Sequence, residues 1–142
     1  MQPTKHMLKT IEKVLLLQEM RLFDFVSTER VAEMAQMCLE RSVAAGDVIF
    51  EAAQSVDNLY LLVRGKVELE RNGMRLPLDS AIALNPWTFF SRQPQPLRAT
   101  ALEDGLVLVG QRSPLEELLT SDPELCYSVL RYLASEGLEG HC

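Results

Sequence analysis

The chain has 142 residues, with 14 Lys and Arg against 20 Asp and Glu, a formal charge of −6 and 47% hydrophobic residues. That composition describes one soluble globular domain with enough apolar side chain to bury a core, and it excludes a disordered chain. It also weighs against a stand-alone nucleic-acid binder, whose phosphate affinity would come from clustered Lys and Arg.

Lys5, Lys9 and Lys13 precede only a short apolar run, Val14 to Leu17. An export signal needs an apolar stretch of about 7–15 residues and a membrane helix about 20, so neither is expected. The three cysteines, Cys38, Cys126 and Cys142, form no CxxC. They fit two core thiols and a free terminal one, in a reducing cytoplasm.

In chain order, residues 7–39 have helical spacing, 42–112 carry strands and turns, and 113–137 are helical again. A first helix is predicted from Met7 to Met20 on the spacing of Leu8, Ile11, Val14, Leu15 and Gln18. The segment Arg21 to Val26 breaks it. Ser27 then caps a second helix with a buried stripe of Val31, Met34, Ala35 and Cys38.

The period changes after the Gly46-Asp47 turn. Val48-Ile49-Phe50 and Leu59 to Val63 read as strands, the second buried, with Gly65 as a bulge or turn. Lys66-Val67-Glu68-Leu69-Glu70 alternates, so Val67 and Leu69 face a core. Asn72-Gly73 marks a hairpin, and Pro77 places the returning strand at a sheet edge. Pro86, Pro94 and Pro96 forbid a long helix over 85–96 and predict an irregular loop. Strands resume at Leu97 to Leu102 and at Leu106 to Val109.

Ser113-Pro114-Leu115-Glu116 reads as a capping box, and Asp122-Pro123 opens a second helix. Cys126, Val129, Leu130 and Leu133 form its apolar stripe, and Gly137 its expected end. Helices at both ends of a strand-rich middle make an α+β domain with an antiparallel β core, a rolled or closed sandwich.

The runs Val43-Ala44-Ala45-Gly46-Asp47-Val48-Ile49-Phe50-Glu51 and Asp57-Asn58-Leu59-Tyr60-Leu61-Leu62-Val63-Arg64-Gly65-Lys66-Val67-Glu68-Leu69 resemble a cyclic nucleotide-binding domain, as found in the sensor part of catabolite activator proteins. The likeness continues through Arg98 to Asp104 and covers residues 8–135. Leu8 to Phe23 also resembles the approach to such domains in bacterial multidomain proteins. The resemblance implies an antiparallel β jelly roll, a double-stranded β-helix, flanked by N-terminal and C-terminal helices. It makes residues 1–142 a single domain.

The same resemblance implies a phosphate-binding cassette: a Gly-Glu pair, a short helical turn, then Pro-Arg-x-Ala-Thr. Backbone N–H groups and the Arg would hold the cyclic phosphate, and the Glu the ribose. Anchored on Pro96 and Ala99-Thr100, the arginine position holds Leu97 and the Gly-Glu pair becomes Trp87-Thr88. Ala53 stands where a turn glycine is usual. Arg98 lies one residue off, on the opposite face of a strand unless a bulge restores it. Losing one buried charged partner costs about 2–5 kcal/mol, and two such losses carry a micromolar ligand beyond millimolar.

The cassette positions Trp87, Thr88, Phe89, Leu97, Arg98, Ala99 and Thr100 are therefore the candidate ligand-contacting residues. Trp87 and Phe89-Phe90 either plug the mouth of the roll or form an aromatic contact surface. Arg98 is either a phosphate ligand or a surface arginine. No cofactor is expected, with a cyclic nucleotide as the alternative. The only histidines, His6 and His141, lie at the two ends, so no histidine metal site or enzyme is expected. No DNA-binding module is expected after the last helix of this chain. The expected role is a regulatory or interaction module acting on a protein partner or fused effector, with a homodimer through the last helix open. The alternative is a small-ligand sensor that uses Arg98 for a cyclic nucleotide or another anion.

Overall fold

The computed structural model describes residues 8–140. The chain runs α1 (Thr10–Leu17), a 3-10 turn (Arg21–Phe23), α2 (Thr28–Met37), β1 (Leu39–Val43), β2 (Val48–Phe50), β3 (Asn58–Arg64), β4 (Lys66–Arg71), β5 (Met74–Asp79), β6 (Ile82–Ala83), α3 (Pro86–Ser91), β7 (Arg98–Ala101), β8 (Gly105–Gln111), α4 (Arg112–Ser121) and α5 (Pro123–Gly140). The strands form two four-stranded antiparallel sheets, ordered β1-β8-β3-β6 and β2-β7-β4-β5. This is the expected α+β jelly roll with helices at both ends.

Strand composition reports which sheet a strand belongs to. β3 is apolar on both faces because both are covered. Leu59, Leu61 and Val63 pack toward the helices, whereas Leu62 and Tyr60 point into the roll. β8 divides the same way, Leu106 and Leu108 outward, Val107 and Val109 inward. β4 has only its inner face covered, so it alternates, with Val67 and Leu69 buried. Asn72 and Gly73 both take positive φ in the β4–β5 turn, and Pro77 sits on the edge strand β5. At Gly65 (φ +105°) the backbone approaches Gly105 so closely that a Cβ would lie 3.0 Å from the Gly105 Cα.

Several helix expectations are corrected. The predicted start at Met7 lies outside the described residues. Within α1 the buried residues are Lys13, Val14 and Leu17, while Ile11 and Leu15 are exposed. The run Val14 to Leu17 is apolar all round, so packing on α2 selects the face. Lys13 keeps its charge satisfied there by donating to the Cys38 carbonyl at 3.3 Å. Residue 39 belongs to β1, not to the second helix. The irregular loop after Leu84 begins with a short helix, α3, because Pro86 occupies its first position, where no N–H is needed. Gln111, not Ser113, precedes α4: the Arg112 N–H bonds the Asp57 carbonyl and draws the helix start forward.

The last helix is rotated from the expected stripe. α5 buries Leu125, Val129 and Tyr132, leaving Cys126 and Leu130 exposed, and it continues past Gly137. Cys126 is thus not a core thiol, whereas Cys38 is. Asp122 does open α5 as predicted, with Oδ1 accepting the Leu125 N–H at 3.2 Å.

Candidate functional site

The cassette is built on α3 and the loop that leads into β7. Asn85 precedes α3 and is buried. Its Oδ1 accepts the Tyr60 N–H and its Nδ2 donates to the Asn58 carbonyl, both at 2.9 Å. The side chain thus behaves as one more strand partner for β3 and anchors the helix start. Six residues later Arg92 ends the helix in the left-handed region, φ 60°. Phe89 is fully buried and meets Phe90 edge-on at 5.1 Å.

Gln95 fastens the following loop. Its carbonyl accepts the Ala53 N–H at 2.5 Å and its own N–H bonds the Gln54 carbonyl at 2.9 Å. Its side-chain Nε2 donates to Thr88 Oγ1, and its Oε1 accepts the Leu97 N–H, each at 3.3 Å. The loop is therefore tied both to the β2–β3 connection and to α3. Ala53 takes φ 67°, the conformation a glycine would adopt without strain.

β7 then sets which side chains face inward. Ala99 and Ala101 are buried, and Leu97 packs on the same interior cluster. Arg98 and Thr100 point the other way, opposite Glu70 and Glu68 of β4. The Arg98 guanidinium pairs with Glu51 at 3.3 Å, both about half exposed. Trp87 is on the outer side of α3, 42% exposed, and Phe89 packs into the core under the helices, so neither plugs the mouth of the roll. Thr88 is half-buried and already bonded to Gln95 and to the Asn85 carbonyl.

Arg112 ties this assembly to the C-terminal helices. It stacks over the Phe89 ring, 4.1 Å from the centroid. Nη2 donates to the carbonyls of Phe89 at 2.8 Å and Val56 at 2.5 Å, and Nε to Val56 at 3.2 Å. Nη1 reaches Glu116, which also accepts from Arg92 at 2.6 Å. One mostly buried cation therefore joins α3, the β2–β3 connection and α4.

Beside the cassette lies a cavity of about 510 Å³, lined by Phe50, Glu51, Gln54, Asp57, Tyr60, Asn85 and Gln95 among others. Among the described residues its charged lining groups are the carboxylates of Glu51 and Asp57. A phosphate entering there would meet the Asp57 carboxylate and a Glu51 carboxylate already paired with Arg98. Among the described residues, no group of three His, Cys, Asp or Glu is placed to hold a metal ion. No helix among them is long and apolar enough to cross a membrane.

Sequence reasoning singled out Trp87, Thr88, Phe89, Leu97, Arg98, Ala99 and Thr100. Of these, Leu97 and Ala99 are brought to the roll interior, Phe89 to the core under the helices, Thr88 bridges the loop, and Trp87, Arg98 and Thr100 face outward. It missed Asn85, Gln95 and Arg112. Asn85 carried a readable signal, since an Asn before a Pro is a helix-start pattern. Gln95 and Arg112 carried none, because their roles arise only where distant segments meet.

A closed β roll with a helical cassette and trailing helices defines the class, and comparison names it. The family described as "Cyclic nucleotide-binding domain" matches residues 40–122, and the chain belongs to that family. No curated protein matches it. Among solved structures it is similar to the N-terminal domain of a transcriptional regulator from Streptomyces coelicolor A3(2), with 26% identity, TM-score 0.73, and coverage of 89% of this chain and 94% of that one. It shares the fold of the sensor domain of the transcriptional regulator DNR from Pseudomonas aeruginosa (18% identity, TM-score 0.74, 92% and 91% covered). It also shares that of Thermus thermophilus catabolite activator protein (23%, TM-score 0.73), where it covers 84% of this chain but spans 59% of the other.

Proposed function

We propose that this domain is a regulatory or interaction module whose cassette is held closed by its own side chains rather than by a cyclic nucleotide. The observation that carries this reading is the placement of charge along β7. Leu97 takes the inward position where the family pattern has Arg, and Arg98 lies outside on Glu51. Around it, cassette groups that could serve a ligand already have partners: the Leu97 N–H and Thr88 Oγ1 are bonded to Gln95. Trp87-Thr88, where the family's Gly-Glu pair is expected, lie within α3, and neither side chain supplies a carboxylate for a ribose.

In this reading Phe89 and Arg112 hold α3 against α4 permanently, which selects one of the two states a ligand would otherwise choose between. Output passes through α4 and α5 to a protein partner or a fused effector, as befits a relative of regulator domains. The module has no catalytic role and touches no nucleic acid by itself. Isothermal titration tests it: no heat is expected with cyclic AMP or cyclic GMP up to about 1 mM, where a family-type site would saturate. Heat that disappears in Arg98→Ala would overturn the reading in favour of an Arg98-based sensor.

A further inference from the structure

A second cavity, of about 240 Å³, separates the cassette from α4, lined by Ser55, Val56, Asp57, Arg92, Pro94 and Arg112. It is distinct from the roll interior and from the β7 positions discussed above. Arg92 and Arg112 both contribute to its lining, and the Glu116 carboxylate that their guanidinium groups share lies outside that lining. Arg112 is fixed: Nε and both Nη2 hydrogens are spent on backbone carbonyls, so its charge cannot swing away. Arg92 is two-thirds exposed, and its only bonded partner among the described residues is Glu116. Both arginines converge on one atom, Glu116 Oε2, at 2.6 and 3.2 Å. Arg92 holds this position at a left-handed φ, which a non-glycine residue adopts only at some cost.

We propose that this cleft is an anion site in which a phosphoryl group bridges Arg92 and Arg112 in place of the Glu116 carboxylate. The physical basis is exchange. A carboxylate presents two oxygens and one charge, whereas a phosphoryl group presents three oxygens and up to two charges. Arg92 keeps unspent N–H donors, and Arg112 keeps one on Nη1. Ser55 adds a hydroxyl on the lining, while Asp57 adds an opposing charge and keeps the affinity modest. Occupancy has a consequence for the fold, because Glu116 belongs to α4 and Arg92 to the cassette. An anion there replaces a tie within the chain by one through the ligand.

The probe is inorganic pyrophosphate, added at constant ionic strength to the full chain labelled with ¹⁵N-arginine, followed by the side-chain Nε–H resonances. Shifts of the Arg92 and Arg112 signals are expected, with half-saturation on the order of 1 mM. Glu116→Gln removes the competing carboxylate and is expected to tighten binding roughly tenfold, an outcome that loss of structure would not produce. Arg92→Gln is expected to weaken it at least threefold, and Arg98→Gln to leave it unchanged. No shift up to about 20 mM in both the wild type and Glu116→Gln would overturn the proposal. So would weaker binding in Glu116→Gln, binding indifferent to Arg92→Gln, or shifts confined to Arg98.

Discussion

On β7 a single step along the chain decides whether the roll receives a cation. Leu97 lies against the interior cluster, and Arg98 emerges beside Glu51. Strand parity made this orientation readable from sequence, because neighbours on a strand face opposite sides. The half-exposed Arg98–Glu51 pair is worth little, so Arg98→Ala should change unfolding free energy by less than about 1 kcal/mol in urea titration. Ala53, at φ 67°, is different. Ala53→Gly should stabilise the fold by roughly 0.5–1 kcal/mol, since a left-handed alanine is relieved at the cost of a more flexible unfolded chain. Burial also governs the thiols, pushing the Cys38 group up to about 11. Cys38 should resist thiol reagents at pH 8 until the protein unfolds, whereas exposed Cys126 reacts in the native state.

At the scale of elements, α3 is short, and neighbours rather than its own length keep it in place. Phe89→Ala removes a fully buried ring and the surface under Arg112, so a loss of about 3–5 kcal/mol is expected in equilibrium unfolding. The junction of α4 and α5 is held by charge. Arg30 donates to both carboxylate oxygens of Asp122, at 3.0 and 2.8 Å, and this hydrogen bonding holds the Asp122 carboxyl below its ordinary value. A lowered folded value means that the contribution is present above the ordinary carboxylate value of 3.8 and is lost as pH falls through the folded one. Asp122→Asn should therefore flatten the acid limb of the stability curve, with little change in its slope near neutrality. The Asp-Pro signal that opens α5 was legible because a cap acts locally. The faces of α1 and α5 were not: both helices carry apolar residues on more than one side, and tertiary contacts chose Leu17 over Ile11 and Leu125 over Leu130. The start of α4 was misread for the same reason, since a bond from Arg112 to Asp57 outweighed a local capping pattern.

Across the whole molecule, two cores share the β3–β8 pair, one inside the roll and one under the helices. The run of apolar residues in both strands announced this double burial, and turn residues announced the roll. What sequence left out is how the cassette joins the trailing helices, because Arg112 meets Val56 and Phe89 only in the folded chain. In the proposed reading, that junction is where ligand-free closure is decided. Hydrogen–deuterium exchange across residues 84–97 and 112–136, with and without about 1 mM cyclic AMP, tests it most directly. Slow exchange of both segments without ligand, unchanged by cyclic AMP, is the predicted result. Fast exchange in the cassette that slows when cyclic AMP is added would contradict it.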